Sequence, residues 1–196
     1  MTGRRRPRLY LVRHGETEWA RLGRHTGRTD VPLTATGRAQ AQAIAGRLAG
    51  VQFSRVLASP LSRALETARL AGYGDVVEIE PDLVEWDYGE YEGGTTPEIR
   101  RSVPGWTIWG RGPRGGETAE DVTTRVDRVL AGLVGANGAV ALFAHGHVLR
   151  VLTARWLGLP ASEGRLFALG TATVSVLGWE REARVVERWN EPPHLP

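Results

Sequence analysis

Apolar residues in this chain gather into short β-prone runs, with helically spaced stripes between them. The first run, Leu9 to Val12, stops abruptly at Arg13-His14-Gly15 and reads as a buried strand over 8–13. A polar loop is expected from there through Asp30. Thr34 then caps a helix that runs to Gly50 and carries Ile44 and Leu48 on one apolar face. Phe53 to Ala58 predicts a second strand. Ser59 offers a cap, with Pro60 in the first helical position that proline prefers, for a helix ending near Gly72. A short strand near 76–79 follows. Residues 81–116 show little periodicity and are rich in Gly, Pro and aromatics. Trp106 and Trp109 mark this stretch as an ordered, functional loop. From Thr118, with Asp121 three residues later as a near capping box, the residues Val122, Val126, Val129, Leu130 and Leu133 form one helical stripe. A buried strand is expected over 139–144 and a helix over 146–157, stopped by Gly158 and Pro160. Two late strands close the chain, over 171–179 and 183–189.

This alternation predicts one domain over 1–196: a largely parallel sheet with helices on both faces, and no internal repeat or linker. In such sheets ligands sit outside the carboxyl ends of the strands. His14 and His145 each fall where a predicted strand ends, and Arg63 lies about one helical turn beyond another.

Composition narrows the class. A chain of 196 residues buries a core without staples. It has no cysteine, which excludes disulfides and thiolate metal sites and accords with a reducing compartment. No apolar run approaches membrane-spanning length, and the N-terminus lacks the apolar segment of a signal peptide. A cytoplasmic protein with no membrane partner is therefore expected. All 25 basic residues are arginine and the net charge is only +3. The arginines are scattered except for Arg4, Arg5, Arg6 and Arg8, read as part of a frayed basic tail over 1–7. A nucleic-acid-binding tail is the alternative to that reading; no nucleic-acid partner is expected.

The chemistry centres on Arg13-His14-Gly15, where the glycine is expected to let the backbone turn so that both side chains face a cavity. An imidazole beside a guanidinium suits attack on a phosphoryl group. Histidine forms covalent intermediates, and the arginine fork matches phosphate oxygens in pairs. For attack one ring nitrogen must be unprotonated, and the other is expected to donate to a backbone carbonyl. His145, also followed by glycine, repeats this geometry at a second strand end. It suggests a donor to phosphoryl oxygens, with the imidazolium form open to it. A histidine pair also raises the question of a metal. The carboxylates nearby in sequence lack metal-site spacing and pocket arginines would repel a divalent cation, so neither a metal nor another cofactor is expected. A general acid is sought among Asp82, Glu85, Asp87, Glu90 and Glu92, which the residues alone do not separate.

Four ordered motifs extend the pattern: Arg13-His14-Gly15, Ser59-Pro60-Leu61-Ser62-Arg63-Ala64, Glu85-Trp86-Asp87-Tyr88-Gly89 and Ala144-His145-Gly146-His147. Together they resemble the histidine phosphatase superfamily, also called phosphoglycerate-mutase-like, over nearly the whole chain from about residue 8. The resemblance implies a three-layer α/β/α fold with a mostly parallel central sheet. It implies a phosphohistidine intermediate on His14, a phosphate clamp of Arg13, Arg63, His145 and Thr17, and Glu85 as the general acid. Flanking aromatics would shield that carboxyl and raise its pKa. Thr26 and Gly27 match the family loop that reaches the substrate. His147 is read as lining the substrate side or capping the following helix. Tyr88, with Tyr91, Trp106 and Trp109, is read as a lid that selects the substrate.

Within the resemblance, the family's mutases carry an asparagine where this chain has Ala20 and an arginine where it has Trp86. They also have a longer insertion and a longer C-terminal tail. Here the insertion offers only Arg100 and Arg101, and seven residues follow Trp189. The expectation is a metal-independent phosphomonoester hydrolase, similar to the acid phosphatase and sugar-bisphosphatase branch, acting on a small phosphorylated metabolite. A bisphosphoglycerate-dependent phosphoglycerate mutase is the alternative, and a non-catalytic phosphate- or nucleic-acid-binding protein the remoter one. The partner expected is the small phosphorylated substrate, and the reading admits a homodimer.

Overall fold

The computed structural model describes residues 6–193. Six strands form one sheet in the order β3-β2-β4-β1-β5-β6. The parallel part comprises β1 (Arg8–Arg13), β2 (Phe53–Ala58), β3 (Val77–Ile79) and β4 (Ala139–Ala144). Two antiparallel strands, β5 (Val174–Glu180) and β6 (Ala183–Glu191), extend it from β1.

The central strands β1 and β4 are apolar between their ends because both their faces are covered. Successive side chains point to opposite faces. Leu9 and Leu11 of β1 join Val140 and Leu142 of β4 in one core, under α5 (Ala119–Leu133) and α6 (Gly146–Trp156). Tyr10 and Val12 join Ala141 and Phe143 in the other, under α2 (Ala35–Leu48) and α3 (Ser62–Ala68). The result is the three-layer α/β/α sandwich expected. The α5 stripe Val122, Val126, Val129, Leu130 and Leu133 is buried, and the Thr118–Asp121 capping box is formed. Among the described residues no helix is long and apolar enough to cross a membrane.

Several local expectations are corrected. Ser59 does not cap α3. Its hydroxyl accepts from Leu61 N at 3.3 Å, and Leu61 occupies the N-cap without a side-chain bond. The helix therefore begins at Ser62, two residues later than proline preference suggested, which puts Arg63 in its first turn. The polar loop after β1 contains a short helix, α1 (Glu18–Arg21), capped by Thr17. The aperiodic stretch contains α4 (Thr96–Ser102), closed by a capping box between Thr95 and Glu98. β5 starts three residues late because Ala172, at φ 55°, turns the chain. That turn braces the end of β1: Ala172 N donates to His14 O at 2.9 Å. At the N-terminus, Arg6 and Pro7 are packed rather than frayed. Pro7 is buried, and the Arg6 guanidinium lies 4.6 Å from the Trp179 ring. Arg4 and Arg5 of the expected tail lie outside the described residues.

Candidate active site

Strand register builds the site. Arg13 of β1 pairs with Ala144 of β4, and Ala58 of β2 pairs with Phe143. His14, His145 and Ser59 are the next residues along these strands, so they form a row across the carboxyl edge. The rings of His14 and His145 stand 5.2 Å apart, close to the ~4.8 Å spacing of neighbouring strands. Gly15 allows this packing through close approach rather than through a positive φ. A Cβ there would stand 2.3 Å from the Gly37 carbonyl oxygen of α2.

His14 is buried, and its Nδ1–H donates to Gly15 O at 2.7 Å. That bond fixes the tautomer and leaves Nε2 as the basic nitrogen, without a hydrogen bond among the described residues. Burial, reinforced by Arg63 and Arg13, holds its pKa well below the ordinary histidine value, so the ring is neutral near pH 7. His145 is neutral for the same reasons, burial first and then Arg63. It accepts from Arg63 Nε at Nδ1, at 3.2 Å, so its Nε2–H donates to Ser59 Oγ at 2.7 Å. The imidazolium form entertained for His145 is thus corrected: a guanidinium faces the nitrogen that would carry the extra proton. Ser59, read from the sequence only as a cap, is the group that orients this ring.

Arg63 is fully buried. Besides His145 it donates to Thr29 O, Thr26 O and Gly27 O at 2.9–3.2 Å. Most of its donors therefore hold the 26–29 loop against the site. Neither Arg63 nor His145 lines the open cavity; they stand behind His14.

Glu85 is placed by the N-terminus of α6. Its Oε2 accepts from His147 N, and its Oε1 from Val148 N and Trp86 N, all at 2.9 Å. The carboxylate thus takes up the otherwise unbonded amides of the helix's first turn, where negative charge is favourable. The expected aromatic shield is not what contacts its oxygens. Three backbone amides do, and the Trp86 indole donates away, to Glu117 O at 2.8 Å. His147 projects from the same turn, and its Nδ1 meets the Tyr88 hydroxyl at 2.6 Å. Burial raises the Tyr88 pKa well above its ordinary value and lowers that of His147, so both are neutral.

These groups border a cavity of about 180 Å³, smaller than the ~300–1,000 Å³ of drug-sized pockets. Arg13, His14, Thr26, Glu85, Tyr88 and His147, all candidate site residues from the sequence, line it. Thr17 and Gly27 do not. The Thr17 hydroxyl caps α1 by accepting from Ala20 N at 3.1 Å. Gly27 is a close-packed position, where a Cβ would stand 2.5 Å from Trp86 O. The proposed aromatic lid is also reduced to Tyr88. Trp106 is buried between His25 and Tyr91, and Trp109 packs behind His147.

Among the lining residues that the sequence did not point out are three with polar side chains: Arg24, His25 and Arg150. Arg150 lies three residues after His147 on α6, a spacing that shares one helix face and was available from sequence. Arg24 and His25 had no such signal, because a loop places them. Burial lowers the His25 pKa to about 4. Arg13, Arg24 and Arg150 donate to the carbonyls of Leu169, Gly93 and Gly164, and among the described residues none forms an ion pair with a carboxylate. Three guanidiniums against one carboxylate, Glu85, suit the cavity to anions. Next to them stands a neutral imidazole with a basic nitrogen and a carboxylate able to relay protons. Among the described residues no three metal-ligating side chains gather.

Known proteins share these features. The family description "Histidine phosphatase superfamily (branch 1)" matches residues 9–192. The chain is similar to an acid phosphatase of Mycobacterium tuberculosis, with 46% identity over 93% of this chain and 91% of that protein. It is also similar to the sedoheptulose 1,7-bisphosphatase of Saccharomyces cerevisiae, with 35% identity over 78% of this chain and 68% of that one. The solved structure of open reading frame Rv3214 from Mycobacterium tuberculosis superposes with a TM-score of 0.90 and 42% identity, covering 97% of this chain and all of that one.

Proposed function

This chain belongs to the histidine phosphatase superfamily, branch 1, and we propose that it is a metal-independent hydrolase of small phosphomonoesters working through a phosphohistidine on His14. One observation carries the reading: an imidazole with its tautomer locked by Gly15 O presents its other nitrogen to a cavity where three guanidiniums face one carboxylate, Glu85. The relatives' names, acid phosphatase and sugar bisphosphatase, make sugar phosphates the first substrates to test.

The residues then have distinct tasks. His14 Nε2 attacks phosphorus, forming an N–P bond as the ester P–O bond breaks. Arg13 meets the equatorial oxygens, where charge accumulates in the transition state. His145, oriented by Ser59 and Arg63, supports the phosphoryl site from behind His14. Glu85, a carboxylate in the resting site, takes the acidic proton of the monoanionic ester and passes it to the leaving alkoxide. It then takes a proton from water, which attacks the phosphohistidine, and returns it to the departing inorganic phosphate, restoring neutral His14 and the Glu85 carboxylate. Arg24, Arg150 and His147 meet the remainder of the substrate. The cysteine-free composition accords with the cytoplasm, where we place the reaction.

Phosphate release from p-nitrophenyl phosphate and a panel of sugar phosphates, in the presence of a chelator, tests this function. Turnover that is abolished in His14→Ala supports it. Absence of turnover on every ester, or full activity in that variant, overturns it.

A further inference from the structure

We propose that a second cavity, at the opposite end of the sheet, binds a single-tailed amphipathic anion of the medium-chain carboxylate class. It opens beside Pro7, seven residues before His14 along β1, or about 20 Å away at the rise of a strand. Its volume is about 230 Å³. Leu130 and Leu133 carry the α5 stripe into it, and Trp156 and Trp179 supply aromatic walls, with rings 5.4 Å apart and nearly perpendicular.

The charge at its mouth selects the occupant. The Arg184 guanidinium lies 4.8 Å from the Trp156 ring and 5.5 Å from the Trp179 ring, and Arg6 lies 4.6 Å from the Trp179 ring. Both arginines line the cavity, neither forms an ion pair among the described residues, and no carboxylate lines it with them. A cationic rim over an apolar, aromatic interior matches an anionic head on a slim hydrocarbon tail. A cation is repelled, and a purely polar anion gains nothing from the walls. The Trp179 N–H is already spent on Pro7 O at 3.1 Å. The Trp156 N–H, buried in the same wall, has no partner among the described residues. The phosphatase reaction uses none of these groups.

Titration of the ¹⁵N-labelled full chain with octanoate, followed at the assigned indole N–H resonances of Trp156 and Trp179, tests the site. Saturable displacement of both is expected, with a dissociation constant of about 1 mM or tighter. Hexanoate, two methylenes shorter, should bind about tenfold more weakly. The double variant R6Q/R184Q should weaken octanoate up to about tenfold. Octylammonium, with the same tail and opposite charge, should fail to saturate the shifts. Orthovanadate at the catalytic cavity should leave octanoate bound. The proposal is overturned by absence of saturable shifts, by equal binding of octylammonium, or by displacement with orthovanadate. These three outcomes need only unaltered protein, so they decide the matter even where the double variant folds poorly.

Discussion

Removal of the Arg63 guanidinium is expected to cost both stability and catalysis, and the structure sets the size of the loss. The side chain is fully buried and donates to four acceptors: His145 Nδ1 and the carbonyls of Thr26, Gly27 and Thr29. A buried acceptor left without a donor costs about 1–3 kcal/mol. Two of the four, His145 Nδ1 and Gly27 O, are buried and give about 2–6 kcal/mol by the same rule, while the half-buried Thr26 and exposed Thr29 carbonyls turn to water. Arg63→Ala should therefore lose about 3–5 kcal/mol, a large share of the ~5–15 kcal/mol that holds a domain folded. Arg63→Lys should recover little of this, because one ammonium cannot reach acceptors spread around a planar fork. Urea melts at pH 7.5, paired with kcat/KM on a chromogenic ester, measure both effects. The 26–29 loop amides should also lose hydrogen-exchange protection. If Arg63→Ala melts within about 1 kcal/mol of the parent and keeps its activity, the clamp assigned to Arg63 is refuted.

Other consequences are simpler to state. Ser59→Ala removes the acceptor for the His145 Nε2–H; kcat should fall about tenfold with KM little changed and a stability loss of about 1–2 kcal/mol. An unchanged kcat contradicts its positioning role. Gly27→Ala drives a methyl to 2.5 Å from Trp86 O and 2.8 Å from Glu92 Oε2. A loss of at least about 2 kcal/mol in a thermal or urea melt is expected, and wild-type stability would show that the loop yields freely. Stability should also decline with acid. His14, His145 and His147 have folded-state pKa values well below 6.5, and His25 one of about 4. The unfolded chain takes up protons below about pH 6.5 that the folded chain refuses. Full stability is thus present above that value and is lost as pH falls, by up to ~1.4 kcal/mol per pH unit per histidine. Urea midpoints at pH 7.5, 6 and 5 check the sign, and a midpoint that rises with acid contradicts it.

Much of this architecture is legible in the chain, and where legibility stops has physical causes. β1 and β4 are buried on both faces between their ends, so Leu9–Val12 and Ala139–Ala144 are unbroken apolar runs, and their ends give the positions of His14 and His145. The α5 stripe and its Thr118–Asp121 cap are equally direct. The helix α4 was missed because its seven residues bury only Ile99, although Thr95 and Glu98 spell a capping box. Ser59 was misjudged because Ser-Pro is an ordinary helix start, and only the neighbouring strand β4 brings His145 to its hydroxyl. Glu85 was distinguishable from its acidic neighbours only by the family motif. What separates it in space is the first turn of α6, sixty residues downstream, whose amides it accepts. Arg24 and His25 enter the cavity through a loop whose path depends on Arg63, a tertiary fact no local pattern encodes.

The central claim is that phosphorus passes through nitrogen at position 14. Rapid-quench mixing with a ³²P-labelled ester, followed by peptide mapping, measures this directly. The label should be acid-labile and base-stable, map to His14 and be absent from His14→Ala. Steady hydrolysis by competent enzyme with no trapped label, or a label on any other residue, would contradict it.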